Sequence, residues 1–154
     1  MKTLKILSLC LLVLGLATLV FAAETKRMAT LAEFSGAVEV KAADGNWMAA
    51  TPGMVLNQGD LLRTKAGSSA ILNLDGDAKT AIVQVKENSQ LALAELIEDQ
   101  QMGTQKTLLD LALGSILIKA QKLHQEKSSF EIKTPTSIVG VRGTTFAVSV
   151  EAVE

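Results

Sequence analysis

The stretch from Thr134 to Val150, T-P-T-S-I-V-G-V-R-G-T-T-F-A-V-S-V, constrains the fold more than any other part of the sequence. Pro135 fixes its own φ and pushes Thr134 toward extended geometry, so a helix does not run through this pair. Thr136, Ser137, Ile138 and Val139 follow, all small or β-branched. Gly140 and Gly143 then flank Val141 and Arg142. Such glycines between β-branched residues predict a tight bend or bulge joining two strands, because glycine reaches φ > 0 and lets backbones approach. Beyond Thr144, Phe146, Val148 and Val150 alternate with Ala147, Ser149 and Glu151, the period-2 pattern of a half-buried strand.

Arg142 is the one charge in this apolar setting. Its planar fork suits a carboxylate or another anion. No converging partners accompany it in the sequence, and a site needs several. Pairing with an acid on a neighbouring strand, or exposure at the bend, is the favoured reading.

The residues before this stretch read as short strands between turn signals. Val38 and Val40 point inward, with Glu39 and Lys41 outward, and Asp44-Gly45-Asn46 turns the chain. Trp47 and Met48 lie on the return strand. A lone Trp is usually packing, so Trp47 is expected to cap one end of the core, with a ligand contact as the sharper alternative. Ser69 to Leu74 should pair with Lys79 to Lys86 across Asp75-Gly76-Asp77. Leu72, Leu74, Ala81, Val83 and Val85 would then face the core. Leu91 and Leu93 mark another strand. The polar run Glu95 to Lys106 is expected to be a long hairpin loop or tip that offers a variable contact surface. Leu108 to Leu113 and Ile116 to Ala120 alternate on either side of Gly114-Ser115. A helix over Leu108 to Gln125 is the rival, and Gly114 inside it would cost about 1 kcal/mol against Ala. Turn signals at short intervals point to an all-β protein of many short antiparallel strands, in a twisted solenoid-like or sandwich arrangement.

The order of these pieces resembles the FecR domain, named after the iron-citrate signalling regulator of bacterial envelopes. T-P-T-S-I-V-G-V-R-G-T-T-F is similar to its signature, TP-x-a-x-x-G-V-R-G-T-x-F. Gly36-Ala37-Val38-Glu39-Val40, Trp47, Leu61-Leu62-Arg63-Thr64 and Ser69-Ala70-Ile71-Leu72 before Asp75-Gly76 look like its earlier strands. The resemblance spans Phe34 to Val150. It marks Thr134, Pro135, Gly140, Arg142, Gly143, Thr144 and Phe146 as motif residues, structural or in contact. It implies an extracytoplasmic protein that works in envelope signalling or assembly through protein contacts. Such domains often continue with one more hairpin where this chain stops at Glu154, which implies an open sheet edge. Full regulators of this family carry a cytoplasmic anti-sigma segment before a membrane span. Only Met1 to Lys5 precede the apolar run here, so this chain is not expected to be such a regulator alone.

That apolar run sets the compartment. Lys2 and Lys5 precede an uncharged stretch, Ile6 to Phe21, and small residues follow at Ala22 and Ala23. This is the pattern of a secretory signal peptide, with cleavage expected after Ala22. Retained, the run is just long enough to span a bilayer, and the protein would then be membrane-anchored. Cys10 follows a Leu and lies too early for a lipoprotein site. Cleavage removes Cys10, the single cysteine, and with it any disulfide. The expected organisation is a signal peptide over residues 1–22, a linker over 23–33 and one all-β domain over 34–154. The expected location is periplasmic or secreted.

Several chemistries lack residues. A formal net charge of −1 gives no footprint for nucleic acid. His124 is the only histidine and sits among Lys, Gln and Glu, so it is read as solvated rather than as a metal ligand. Asp60, Asp75 and Asp77 lack the further oxygen ligands of a Ca²⁺ loop and are read as turn carboxylates in solvent. No nucleophile is paired with a base and no phosphate loop appears. The expectation is a protein that is not an enzyme and holds no cofactor or metal, with an envelope protein of unknown identity as its partner. The alternative is an envelope small-molecule or glycan-binding protein built on Trp47, Arg142 and the Glu95–Lys106 run. Scarce aromatics, 3% of residues, weigh against it.

Overall fold

The computed structural model describes residues 24–76, 78–122 and 127–151. The expectations attached to the apolar leader, to Asp77 and to His124 lie outside the described residues. Thirteen strands make one curled sheet. In chain order they are β1 (Glu24–Lys26), β2 (Met28–Ser35), β3 (Val38–Lys41), β4 (Trp47–Ala49), β5 (Val55–Asn57), β6 (Leu61–Thr64), β7 (Ser69–Leu74), β8 (Ala81–Val85), β9 (Gln90–Asp99), β10 (Thr104–Ala120), β11 (Ser129–Lys133), β12 (Ile138–Gly140) and β13 (Thr145–Val150). The all-β expectation holds. The helix considered over residues 108–125 is strand through Ala120.

The sheet folds into two leaves that share β10. One leaf runs β4-β3-β6-β9-β10, with β11 and β12 beyond β10. The other runs β10-β8-β7-β2-β5, with β13 on the far side of β10. The inner neighbours match: β3-β6-β9-β10 in one leaf and β2-β7-β8-β10 in the other. Each leaf therefore holds half of the same bent stretches. The four matched crossings between leaves lie at Gly36, through residues 65–68, through residues 86–89 and at Gly114. Backbone bonds zip these crossings side by side: Lys65 N–H to the Ala37 carbonyl at 3.0 Å, Thr64 N–H to Ser89 at 2.9 Å, and Lys86 N–H to Ser115 at 2.9 Å.

Two serines support the bends at Gly36 and Gly114. The Ser68 hydroxyl accepts the Ala37 N–H at 2.9 Å, and the Ser89 hydroxyl accepts the Ser115 N–H at 2.9 Å. Each replaces a ladder bond that the bend removes. Gly36 and Gly114 adopt φ of 77° and 90°, where a side chain is strained. The bend in β10 brings its two ends together. Residues 105 and 121 would lie about 50 Å apart on a straight strand. Instead both reach Thr80, whose carbonyl accepts the Gln121 N–H at 2.9 Å and whose hydroxyl lies 3.3 Å from Gln105 Oε1.

Between the leaves lies one apolar core. Leu31, Leu56, Leu72, Leu74, Val83, Val85, Leu91, Leu93, Leu109, Leu111, Ile118, Phe130 and Ile132 are all buried in it. The inward positions expected on β3, β7 and β8 are among its members. β7 and β8 pair antiparallel from Ala70↔Val85 to Leu74↔Ala81, as the hairpin signal predicts. One pair departs from the antiparallel pattern, since β11 lies parallel to β10. The folded-back path of β10 makes this short return feasible.

The linker expected over 23–33 is corrected: β1 and β2 are part of the sheet, with Ala29 and Leu31 fully buried. A bulge between Leu31 and Glu33 moves the inward positions from Leu31 to Phe34, which breaks the period that marks a strand in the sequence. The loop expected over Glu95 to Lys106 is also corrected. β9 continues to Asp99 and β10 starts at Thr104. A bulge beside Leu108/Leu109 shifts β9 so that Leu93 and Leu96 both face inward, again hiding the alternation.

Candidate functional site

The motif stretch folds as a hairpin, a bend and an edge strand. β11 and β12 pair from Lys133↔Ile138 to Glu131↔Gly140. Thr134 closes the loop between them: its N–H donates to the Ser137 carbonyl at 2.8 Å, and its Oγ1 accepts the Ser137 N–H at 3.0 Å. Pro135 sits exposed in that loop. Its preset φ suits the turn and it has no N–H to leave unpaired. Gly140 ends β12 in open space. The Val141 N–H reaches back to the Phe130 carbonyl at 2.8 Å.

The chain then crosses to the other leaf. Gly143 has φ of 64°, and a Cβ on it would lie 2.8 Å from the Lys122 Cα. The Thr144 carbonyl accepts the Ala120 N–H at 3.1 Å and starts the pairing of β13 with β10. Phe146, Val148 and Val150 are half-buried and packed on the core, while Thr145, Ala147 and Ser149 face out.

Among the described residues, β13 pairs with β10 alone. Its free side has a definite set of groups. Ser115 turns its N–H to Ser89 and its carbonyl to Lys86, away from β13. In an antiparallel ladder the bonding direction alternates, so Gly114, Ile116 and Ile118 bond to their partners Val150, Val148 and Phe146. The N–H and C=O groups of Thr145, Ala147 and Ser149 therefore point out from the open edge. No residue from Thr144 to Val150 is charged or proline. Edge strands are ordinarily guarded by charges, proline or bulges.

Arg142 is exposed at the bend beside this edge, as one of its favoured readings has it. With Ser128, Ser129, Phe130, Glu131, Gly140 and Val141 it lines a cleft of about 370 Å³. The chain's other arginines are both tied down. Arg27, buried between β1 and β2, donates to both carboxylate oxygens of Asp75, to the hydroxyls of Thr80 and Thr107, and to the Lys106 carbonyl. Every donor of its fork is thereby used. Arg63 bonds to Glu39 at 2.5 Å and stacks on Trp47, 4.0 Å above the ring centroid. Lys65 lies 3.2 Å from the same carboxylate. The bond from Arg63, then that from Lys65, holds the Glu39 carboxyl below its usual range.

Trp47 does not cap the core. Opposite Lys41 on the edge strand β4, it lies on the outer face, half-buried beneath Arg63. The register places it there, because Val40 takes the inward position and Lys41 the outward one. The reading of Asp60 and Asp75 as solvated turn carboxylates is corrected as well. Asp60 is buried and accepts the N–H groups of Ala43 and Asn57 at 3.2 and 2.8 Å, and Asp75 is the partner of Arg27. Arg27 was invisible in the sequence as a structural centre, since its acid lies 48 residues away. Among the described residues no group of His, Cys, Asp and Glu could hold a metal ion, and no helix is long and apolar enough to cross a membrane.

A curled all-β sheet with its signature at a crossing and, among the described residues, β13 at an edge defines the class. A family model described as FecR protein matches residues 60–154. That is more than half of the chain, and the chain belongs to the FecR family. No curated protein and no solved structure matches it. The matched span begins at the turn before β6, so β1 to β5 lie outside it although they bond into the same sheet.

Proposed function

We propose that this protein is a non-enzymatic, extracytoplasmic FecR-family module that works in envelope signalling or assembly by taking a strand of a protein partner onto the edge of β13. The observation that carries this reading is the free side of β13. It is six residues long, uncharged, and backed by half-buried Phe146, Val148 and Val150. A partner strand would satisfy the outward groups of Thr145, Ala147 and Ser149 and would finish burying the three apolar side chains. Main-chain bonds then supply affinity and side-chain pockets supply choice. The family and the secretory pattern of residues 1–22 support a location outside the cytoplasm. The glycan-binding alternative draws less support, because one face of Trp47 is covered by Arg63.

The test is a photo-crosslinker placed at Ser149 in cells that make the full chain, with and without Ala147→Pro. That proline removes an outward N–H and no bond to β10. A crosslinked envelope protein that disappears in the proline variant, while thermal unfolding is unchanged, is the expected result. A crosslink that ignores the proline would exclude strand addition at β13.

A further inference from the structure

We infer that the strand received by β13 runs antiparallel to it and ends in acidic residues, which a cationic corner at the start of β13 holds. This rests on the reading of β13 as a docking edge and adds the direction and charge of the partner. Lys119 lies opposite Thr145 on β10. Lys122 packs against Gly143, and Arg142 precedes that glycine. All three are exposed, and among the described residues none forms an ion pair.

This clustering stands out because the chain is not basic. Its formal net charge is −1, and the acids Asp75, Glu39 and Asp110 are engaged with Arg27, Arg63 and Lys133 elsewhere. Glu131 is the acid that lines the cleft with Arg142, and it makes no salt bridge with it. Ser128 and Ser129 line the same cleft, and the Ser128 hydroxyl accepts the Gln105 N–H at 3.0 Å. The other end of β13 carries Glu151, which is exposed. The edge is thus positive at its start and negative at its end. A parallel acidic-ended strand would bring its acids to Glu151, whereas an antiparallel one brings them to the end of β13 where Arg142 lies, with Lys119 and Lys122 one strand further in on the β10 side. Charges of this kind at the rim set direction and the rate of encounter more than they set total affinity.

The probe is a short peptide alternating valine and threonine with two glutamates at its C-terminal end and an amidated terminus. Its controls carry the glutamates at the N-terminal end, or glutamines in their place. Binding to the full chain is read by fluorescence anisotropy at low salt, and protection of β13 amides by hydrogen exchange. We expect the C-terminal glutamates to tighten binding about tenfold over the glutamine peptide, and Arg142→Gln with Lys119→Gln to remove that preference. The preference should also fall with added salt. Equal binding of all three peptides with β13 protected would overturn the acidic direction and leave strand addition standing. No protection of β13 by any peptide would overturn both. Binding of the chain to phosphatidylglycerol vesicles that the double variant abolishes, with no peptide preference, would assign the corner to a lipid surface and also overturn the inference.

Discussion

Ser89 occupies the space that a side chain on Gly114 would need. A Cβ there would lie 2.1 Å from the Ser89 Oγ and 2.5 Å from its Cα. The same hydroxyl accepts the N–H of Ser115, so it cannot swing aside without leaving that group unpaired. Gly114→Ala combines this clash with a φ of 90°. The expected loss is about 3 kcal/mol or more, read as a fall in the urea midpoint. Gly67→Ala is the control for backbone strain alone, since its Cβ meets nothing within 4 Å and only φ opposes it. It should cost about 1 kcal/mol.

Gly143→Val tests the crossing in the motif. Valine is β-branched, φ is 64° and the Lys122 backbone blocks the Cβ. Thermal unfolding should fall by an amount equivalent to about 2–4 kcal/mol. Gly140→Ala, in open space without positive φ, should leave the transition nearly unchanged. Equal effects at the two glycines would contradict the placement of the bend.

Arg27 joins the two leaves through one buried fork. Arg27→Met leaves the Asp75 carboxylate, only 17% exposed, without its partner. Urea denaturation should show a loss of about 3–5 kcal/mol. Replacing both residues, Arg27→Met with Asp75→Asn, should recover part of that loss, because the stranded charge is gone. A double variant as weak as the single one would mean that the fork matters for its bonds to Thr80 and Thr107 rather than for the charge it neutralises.

Glu39 makes stability depend on pH. Its folded-state pKa is lowered, so its contribution is complete above the ordinary carboxylate value of 4.5 and is lost as pH falls through the lower folded value. The difference in thermal midpoint between wild type and Glu39→Gln should therefore be visible near neutral pH and close in acid. A difference that stays constant into acid would remove Arg63 and Lys65 as the cause.

How much of this could be read beforehand depended on period and distance along the chain. Leu72, Leu74, Val83 and Val85 alternate without interruption, so their strands and their inward faces were legible. Leu91, Leu93 and Leu96 do not keep the period, because a bulge shifts the register between Leu93 and Leu96, so the alternation that marks the strand stops at Leu93. Residues 24–33 read as polar because Glu24, Thr25, Lys26 and Glu33 are exposed and Arg27 is a buried charge where the chain changes leaf. Residue type alone places Trp47 at the core, whereas its cross-strand neighbour Lys41, at an outward position, carries the better signal. The motif glycines disclosed a bend, but not that Gly36 and Gly114 make others of the same kind, each against a serine far away in sequence.

Glu24 is already in register with Asp99, and Thr25 and Lys26 with Glu98 and Ile97. The first of the described residues is thus already bonded into the sheet. A pull applied at that end would load the β1–β9 ladder at once and pass directly to the Arg27 fork, whose grip on Asp75, Thr80 and Thr107 spans both leaves. The first strand is thus a stiff mechanical coupling: tension applied at Glu24 would be felt across the whole sheet.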